Sequence, residues 1–163
     1  MLTNYSLSDA GAFQAAKSSD FIQLADGVHS AADHGQGKIS ASEGSIVELH
    51  FEKFTDQAQW LEVAFKLGAG AWLERSRYMF RIFADANHGC AVATALRLHH
   101  ETGFEDIFAP QKLALSTESQ WVGCEIIPPV WALQKCVAMD VHLFLPPRNG
   151  HLRIHDFAVT AVG

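Results

Sequence analysis

The sequence predicts an all-β fold, an antiparallel β-sandwich preceded by a short N-terminal helix. From Phe21 onward the apolar residues recur with a period of two, in roughly eight or nine short runs separated by Gly, Pro and Asn turns. No helix of crossover length stands between those runs, which excludes βαβ units and leaves a sandwich of two sheets. The stretch 136–163 carries the pattern most clearly. Val137, Met139, Val141, Leu143 and Leu145 alternate with Cys136, Ala138, Asp140, His142 and Phe144. Pro146-Pro147-Arg148-Asn149-Gly150 stops that run, and the chain is expected to return as the second arm of a hairpin. In that arm Leu152 and Ile154 share one parity and Phe157, Val159 and Ala161 the other. The register must therefore slip at His155-Asp156, the mark of a β-bulge.

Earlier elements follow in order. Ser8-Asp9 can cap a helix over Ala10 to Lys17, with Phe13 as its one large apolar anchor. Residues 1–20 are expected to be peripheral to a single domain spanning 1–163. Phe21 to Leu24 can open the sheet, and Gly27 to Gly37 reads as loop. Ser45 to Glu52 places Val47, Leu49 and Phe51 inward. Trp60 to Gly68 does the same with Leu61, Val63, Phe65 and Leu67, Arg77 to Asp85 with Tyr78, Phe80, Ile82 and Ala84, and Ala91 to His99 with Val92, Leu96 and Leu98. Lys112 to Ser116 and Gln120 to Ile127 are two further strands. Lys53 to Gln59 and Val130 to Lys135 are candidates for single helical turns. Gly68-Ala69-Gly70 and Asn87-His88-Gly89 punctuate the series. The abrupt end at Gly163 fits a module attached to, or cut from, a longer protein.

Composition bounds the function. A chain of 163 residues can bury roughly 70 % of its unfolded surface, enough for a core without metal or disulfide staples. A formal charge of −6 and the lack of any Lys/Arg run argue against nonspecific nucleic-acid binding. No apolar stretch approaches the roughly 20 residues of a membrane span, and no basic-then-apolar leader opens the chain. Three cysteines, Cys90, Cys124 and Cys136, lack C-x-x-C spacing, so reduced buried thiols and a cytoplasmic setting are expected. In an exported protein Cys124 and Cys136 could pair instead.

The terminal strand, apolar-x-apolar-x-Asp-Phe-x-Val, follows an amphipathic strand ending in Leu-Phe-Leu. In this it resembles the closing strands of jelly-roll carbohydrate-binding modules, often called galactose-binding-like. The resemblance covers the strand series from Ser45 to Val162 and is one of pattern. It implies a jelly roll that holds a glycan on a concave sheet face or in the end loops, attached to other domains of a glycan-processing protein. It also implies a structural calcium. Asp156 stands where a ligating carboxylate of the final strand would, with Glu43 as a partner, although Asp156 could equally cap the free amides of the bulge. Calcium takes six to eight oxygens, and two carboxylates do not complete such a set.

Residues of outward parity form the candidate groove: Trp60, Glu62, Arg77, Arg81, Asp85, Arg97, His99, Asp140 and His142, with Glu48, His50, Lys66, Phe83 and Phe144 beside them. Arg with Asp or Glu offers donors and acceptors suited to vicinal hydroxyls, and a flat aromatic ring suits the C–H side of a sugar. Ordinary cross-strand ion pairs, such as Arg81 with Glu62 or Asp140, explain the same residues at under about 1 kcal/mol each. Trp72 and Trp131 offer a rival loop site beside Asn87-His88, and the same two residues suit a role as plugs for the sandwich ends. Trp121 is outward by parity, unless Phe104 to Pro110 covers it.

Catalytic motifs are absent. The nine histidines show no H-x-H or H-E-x-x-H spacing, and there is no G-x-S-x-G elbow, phosphate loop or dinucleotide glycine fingerprint. A polysaccharide lyase using Arg81, His99 and His142, a hydrolase using a carboxylate pair, or an interaction module remain the alternatives to non-catalytic sugar binding.

Overall fold

The computed structural model describes residues 1–163, folded as two seven-stranded antiparallel sheets. The strands are β1 (Leu2–Ser6), β2 (Ala16–Ser19), β3 (Phe21–Ala25), β4 (Val28–Ala32), β5 (Lys38–Ser42), β6 (Val47–Glu52) and β7 (Leu61–Gly68). They continue as β8 (Arg77–Ala86), β9 (Cys90–His100), β10 (Gly103–Phe108), β11 (Leu113–Leu115), β12 (Gln120–Ile126), β13 (Ala138–Leu145) and β14 (Gly150–Val162). One helical turn, α1 (Val130–Gln134), and 3-10 turns at Leu7–Ala10 and Gly70–Glu74 complete the chain. The first sheet runs β12-β8-β14-β6-β5-β2, with β1 alongside β14. The second runs β10-β9-β13-β7-β4-β3, with β11 alongside β9. No helix is long and apolar enough to cross a membrane.

Period-two alternation sends one side of each strand into a shared core. Val47 and Leu49 of β6 and Tyr78, Phe80 and Ile82 of β8 join Val63 and Phe65 of β7, Leu96 and Leu98 of β9, and Val141 and Leu143 of β13 in one apolar cluster. Across the midline Phe65 stacks on Phe157 with centroids 4.2 Å apart, and Tyr5 sets its edge against both rings. Burying each such side chain contributes roughly 1.5–3 kcal/mol. Trp72 closes one margin of the core, nearly buried, with its carbonyl accepting from the Tyr78 hydroxyl.

Long-range pairing corrects the sequence expectations at several points. β13 and β14 do not form a hairpin: β13 lies between β7 and β9 in the second sheet, and β14 lies between β6 and β8 in the first. Residues 146–150 thus cross from one sheet to the other. Each of these amphipathic strands thereby sits inside its own sheet with a partner on both edges. The helix expected over Ala10 to Lys17 is absent. A stretch that short is marginal in isolation, and its region instead pairs β2 with β5 while burying Leu7 and Phe13. Residues 1–20 are accordingly not peripheral, since β1 pairs with β14 along Leu2 to Ser6.

The Gly27–Gly37 region, expected as loop, contains β4. Its inward residues include small Ser30 and Ala32, which give no strong apolar signal. The Ser30 hydroxyl donates to the Glu62 carbonyl inside the core. β3 and β4 meet at Asp26-Gly27, where Gly27 has φ +71° and a Cβ would stand 3.1 Å from the Lys66 Cβ, so glycine is required twice over. Lys53 to Gln59 forms a single turn closed by the Ala58 amide donating to the Thr55 carbonyl rather than a helical one, while Val130 to Lys135 supplies α1 as expected. All three thiols are free, and burial raises their pKa.

The bulge lies where the sequence placed it, with the β14–β8 register slipping between Ile154 and Asp156. It also marks a change of neighbour: β14 pairs with β6 before it and with β1 after it. Asp156 Oδ1 accepts from the Phe157 amide at 2.9 Å, the Ser8 amide at 3.1 Å and the Ser6 hydroxyl at 3.3 Å, tying the end of β1 to the bulge. Asp156→Ala is expected to destabilise the fold by about 1–3 kcal/mol and to speed amide exchange in β1, with Asp156→Asn recovering part of the loss. Denaturant unfolding and hydrogen exchange check this; unchanged β1 protection in the Ala variant contradicts it.

Candidate functional site

Strand order divides the outward-facing residues between two opposite faces, and this corrects the single groove expected from parity. Arg77, Arg81, Phe83 and Asp85 of β8 and Glu48 and His50 of β6 lie on the first sheet. Glu62 and Lys66 of β7, Arg97 and His99 of β9, and Asp140, His142 and Phe144 of β13 lie together on the second. Arg81 therefore pairs with neither Glu62 nor Asp140. Trp60, exposed just before β7, shares the parity of Glu62. Trp72 is in the core, and Trp131 is exposed on α1.

The second sheet's outer face is recessed along its centre. In register across five strands stand Phe108, Ala95, His142, Ala64 and His29. Of these, Ala95, Ala64 and His142 are only 0 %, 1 % and 2 % exposed although they point away from the core, and Glu62 in the adjacent row is 7 % exposed. Outward residues can be buried only when their neighbours rise above them. The walls are aromatic and charged: Phe21, Phe104 and Phe108 are exposed, with Phe21 stacked on His29 and Phe108 against Phe144. Arg97 rests over the Phe104 ring at 4.1 Å while donating twice to Asp106, at 2.7 and 2.8 Å. A depression of roughly 400 Å³ opens at one corner, lined by Gln23, Asp26, Gly27, His29, Ala64, Lys66, His99, Ala138 and Asp140.

A polar chain crosses the trough floor. His142 Nδ1 stands 2.7 Å from Glu62 Oε2, and His29 Nε2 approaches the other carboxylate oxygen at 3.8 Å. Burial acts to raise the Glu62 pKa, but the hydrogen bond from His142 and the nearby His29 imidazole, with the charges of His142 and Arg97, outweigh it and hold the carboxyl at about 2. An ionised Glu62 only accepts, so Nδ1 of His142 carries the proton. The other ring nitrogen, Nε2, is buried without a partner, 4.0 Å from Asp140 Oδ2, because Asp140 is bound 2.6 Å from His99 Nε2. The sequence reading missed His29, Phe21, Phe104, Asp106 and Phe108, and it missed Ala64 and Ala95 as the floor.

The first sheet's outer face is knitted together differently. Asp85 accepts from Ser119 Oγ at 2.6 Å, Arg153 Nε at 2.8 Å and His155 Nε2 at 2.9 Å. Burial favours its neutral form, yet the Ser119, His155 and Arg153 bonds prevail and hold it at about 2. Trp121 is exposed rather than covered by Phe104 to Pro110, a stretch whose strand, β10, belongs to the other sheet. Its ring stacks on Phe83 and lies beneath the Arg81 guanidinium. Arg77 pairs with Glu125. The rival loop site near Asn87-His88 encloses only about 30 Å³, room for about one water. Asp156 acts as the bulge cap described above, and exposed Glu43 lies beside the Phe13–Gly44 bridge. Neither belongs to a cluster of three ligating side chains.

The depressed Glu62 pKa sets a pH dependence. Because its folded value, about 2, lies below the ordinary 4.5, the unfolded chain takes up the proton first as pH falls. Its contribution is complete above about pH 4.5 and is lost between there and pH 2. Glu62→Gln should cost roughly 2–3 kcal/mol at pH 7 and flatten the acid limb in urea unfolding measured from pH 6 to 3. An equal acid slope in both proteins contradicts the assignment.

No family model matches the chain, and no curated protein matches it at a significant level. Solved structures do match. A CBM4 carbohydrate-binding module is 13 % identical, with TM-score 0.60 over 82 % of this chain and 86 % of that chain. The family 11 carbohydrate-binding module from Clostridium thermocellum, in complex with a beta-1,3-1,4-mixed-linked tetrasaccharide, is 12 % identical, with TM-score 0.55 over 94 % and 96 %. The CBM22-1 xylan-binding domain of Xyn10C from Paenibacillus barcinonensis is 8 % identical, with TM-score 0.51 over 82 % and 85 %. At these identities the likeness is one of architecture, and the fold of this chain is the jelly-roll sandwich of carbohydrate-binding modules.

Proposed function

We propose that this chain is a non-catalytic carbohydrate-binding module that holds a glycan along the trough of its second sheet, as one domain of a glycan-processing protein. The observation that carries the reading is the buried outward floor beneath exposed phenylalanines. Alanines at Ala64 and Ala95 leave room for a ligand, and Phe21, Phe104 and Phe108 offer flat apolar faces to sugar C–H groups. Hydroxyls then meet Lys66, His29 and the His99–Asp140 pair at the polar corner. A hydroxyl that reached His142 Nε2 would supply the partner that this buried nitrogen lacks.

The catalytic alternatives are less well supported. A glycosidase needs a carboxylic acid whose pKa is raised toward neutrality, and Glu62 is shifted the other way. The Arg81, His99 and His142 set considered for a lyase is divided between opposite faces. Both tyrosines pack inward, Tyr78 in the core and Tyr5 against Phe65 and Phe157, so neither serves the trough.

Xylan and a beta-1,3-1,4-mixed-linked tetrasaccharide, the ligands named for two of the structural neighbours, are the first probes. Affinity electrophoresis across a soluble polysaccharide panel is expected to retard the wild-type protein in at least one gel. Phe108→Ala and Phe104→Ala should each weaken retention about tenfold, consistent with roughly 1–2 kcal/mol per stacked ring, while Arg77→Ala on the other face should not. No retardation by any polymer, or retention unchanged in both Phe variants, overturns the proposal.

A further inference from the structure

On the side of the sandwich opposite the trough, β6 and β14 bring three metal-ligating side chains together. His50 and His151 are direct partners in the antiparallel register, and their imidazoles stack with centroids 4.5 Å apart and planes 8° from parallel. Glu48, two residues before His50, projects from the same face of β6. Its Oε1 is 3.2 Å from His151 Nε2 and 3.9 Å from His50 Nε2. The three ligand atoms all lie within 4.8 Å of one another. Arg153 stands opposite Glu48 in the register, where a guanidinium would neutralise it, but its Nε is committed to Asp85 at 2.8 Å. Glu48 is left with imidazoles as its ion-pair partners.

We propose that Glu48, His50 and His151 form a binding site for a divalent transition-metal ion of the zinc, nickel or copper class. Two imidazole nitrogens and one carboxylate oxygen are the donors such ions prefer, each at about 2.0–2.2 Å. A tetrahedral ion of that size holds its donors roughly 3.3 Å apart, so the present separations require side-chain rotation and no movement of the paired backbone. The stacked rings must tilt from parallel to aim both Nε2 lone pairs at one ion. All three side chains are part-exposed, and His50 Nε2 gives up only a long 3.4 Å contact with Ser42 Oγ in doing so. Water completes the coordination from the solvent side. The donor set selects against calcium, which takes six to eight oxygens. A bound ion clips β6 to β14 along the stretch before the bulge, where these strands pair. It shares no residue with the trough, so it stands or falls separately from sugar binding.

The test compares wild type with His50→Gln, His151→Gln and, as a control, His34→Gln, whose ring is exposed beside Asp20. Zinc is titrated by calorimetry and by thermal melts, and cobalt(II) by visible absorption. Wild type and the His34 variant should bind one equivalent and melt higher with zinc. Both other variants should bind at least about tenfold more weakly and lose the melting shift and the cobalt bands. Histidine-detected NMR of the wild type gives a second readout independent of variant folding, with zinc-induced shifts centred on His50 and His151. No saturable binding by the wild type, affinity unchanged in both ligand variants, or zinc shifts centred on other histidines overturns the site.

Discussion

Residues 146–150, the link between β13 and β14, impose the constraint on which the rest of the molecule depends. Two consecutive prolines remove backbone donors, and the chain passes between the sheets instead of turning back along β13. Side chains hold the passage in place: Asn149 Oδ1 accepts from the Phe54 amide at 2.9 Å, and Asn87 Oδ1 accepts from the His151 amide at 2.7 Å. With β13 central in one sheet and β14 central in the other, their outward residues face opposite ways. Asp140, His142 and Phe144 enter the trough, while His151, Arg153 and His155 join the far face. A hairpin would have set all six on one surface and merged the two sites.

The trough depends in turn on keeping a carboxylate stable where water hardly reaches. Glu62 manages this because His142 and His29 both approach it, and the strand register sets Ala64 and Ala95 on either side of His142. Small neighbours recess the imidazole, and the aromatic walls complete its burial. The unpartnered Nε2 is a cost the fold carries.

What was legible in the sequence follows from what period two encodes. Alternation separates inward from outward residues within a strand, and Val63, Phe80, Leu96, Val141 and Ile154 are all in the core as that rule requires. The parity change at His155-Asp156 likewise revealed the bulge, because a slip is a local event. Strand order is not local. Nothing in Arg81 or Arg97 themselves says that they lie on opposite faces, so residues of two surfaces read as one. β4 was hidden by its small inward residues Ser30 and Ala32, and β1 by its dependence on a partner more than 150 residues away in the chain. Alanine on an outward position carries no chemical signal, though the run Ala91, Ala93, Ala95 in β9 hinted at a face cleared of bulk.

Binding of a glycan across β10, β9, β13, β7 and β4 is read out residue by residue through backbone amide NMR during titration with a soluble oligosaccharide. Saturable shifts are expected at Ala64, Ala95, Arg97, Asp140, His142 and Phe108, with β6, β8 and β12 unmoved. Shifts centred on the first sheet or the Asn87 loop, or none with any xylan, glucan or galactan oligosaccharide, would contradict it.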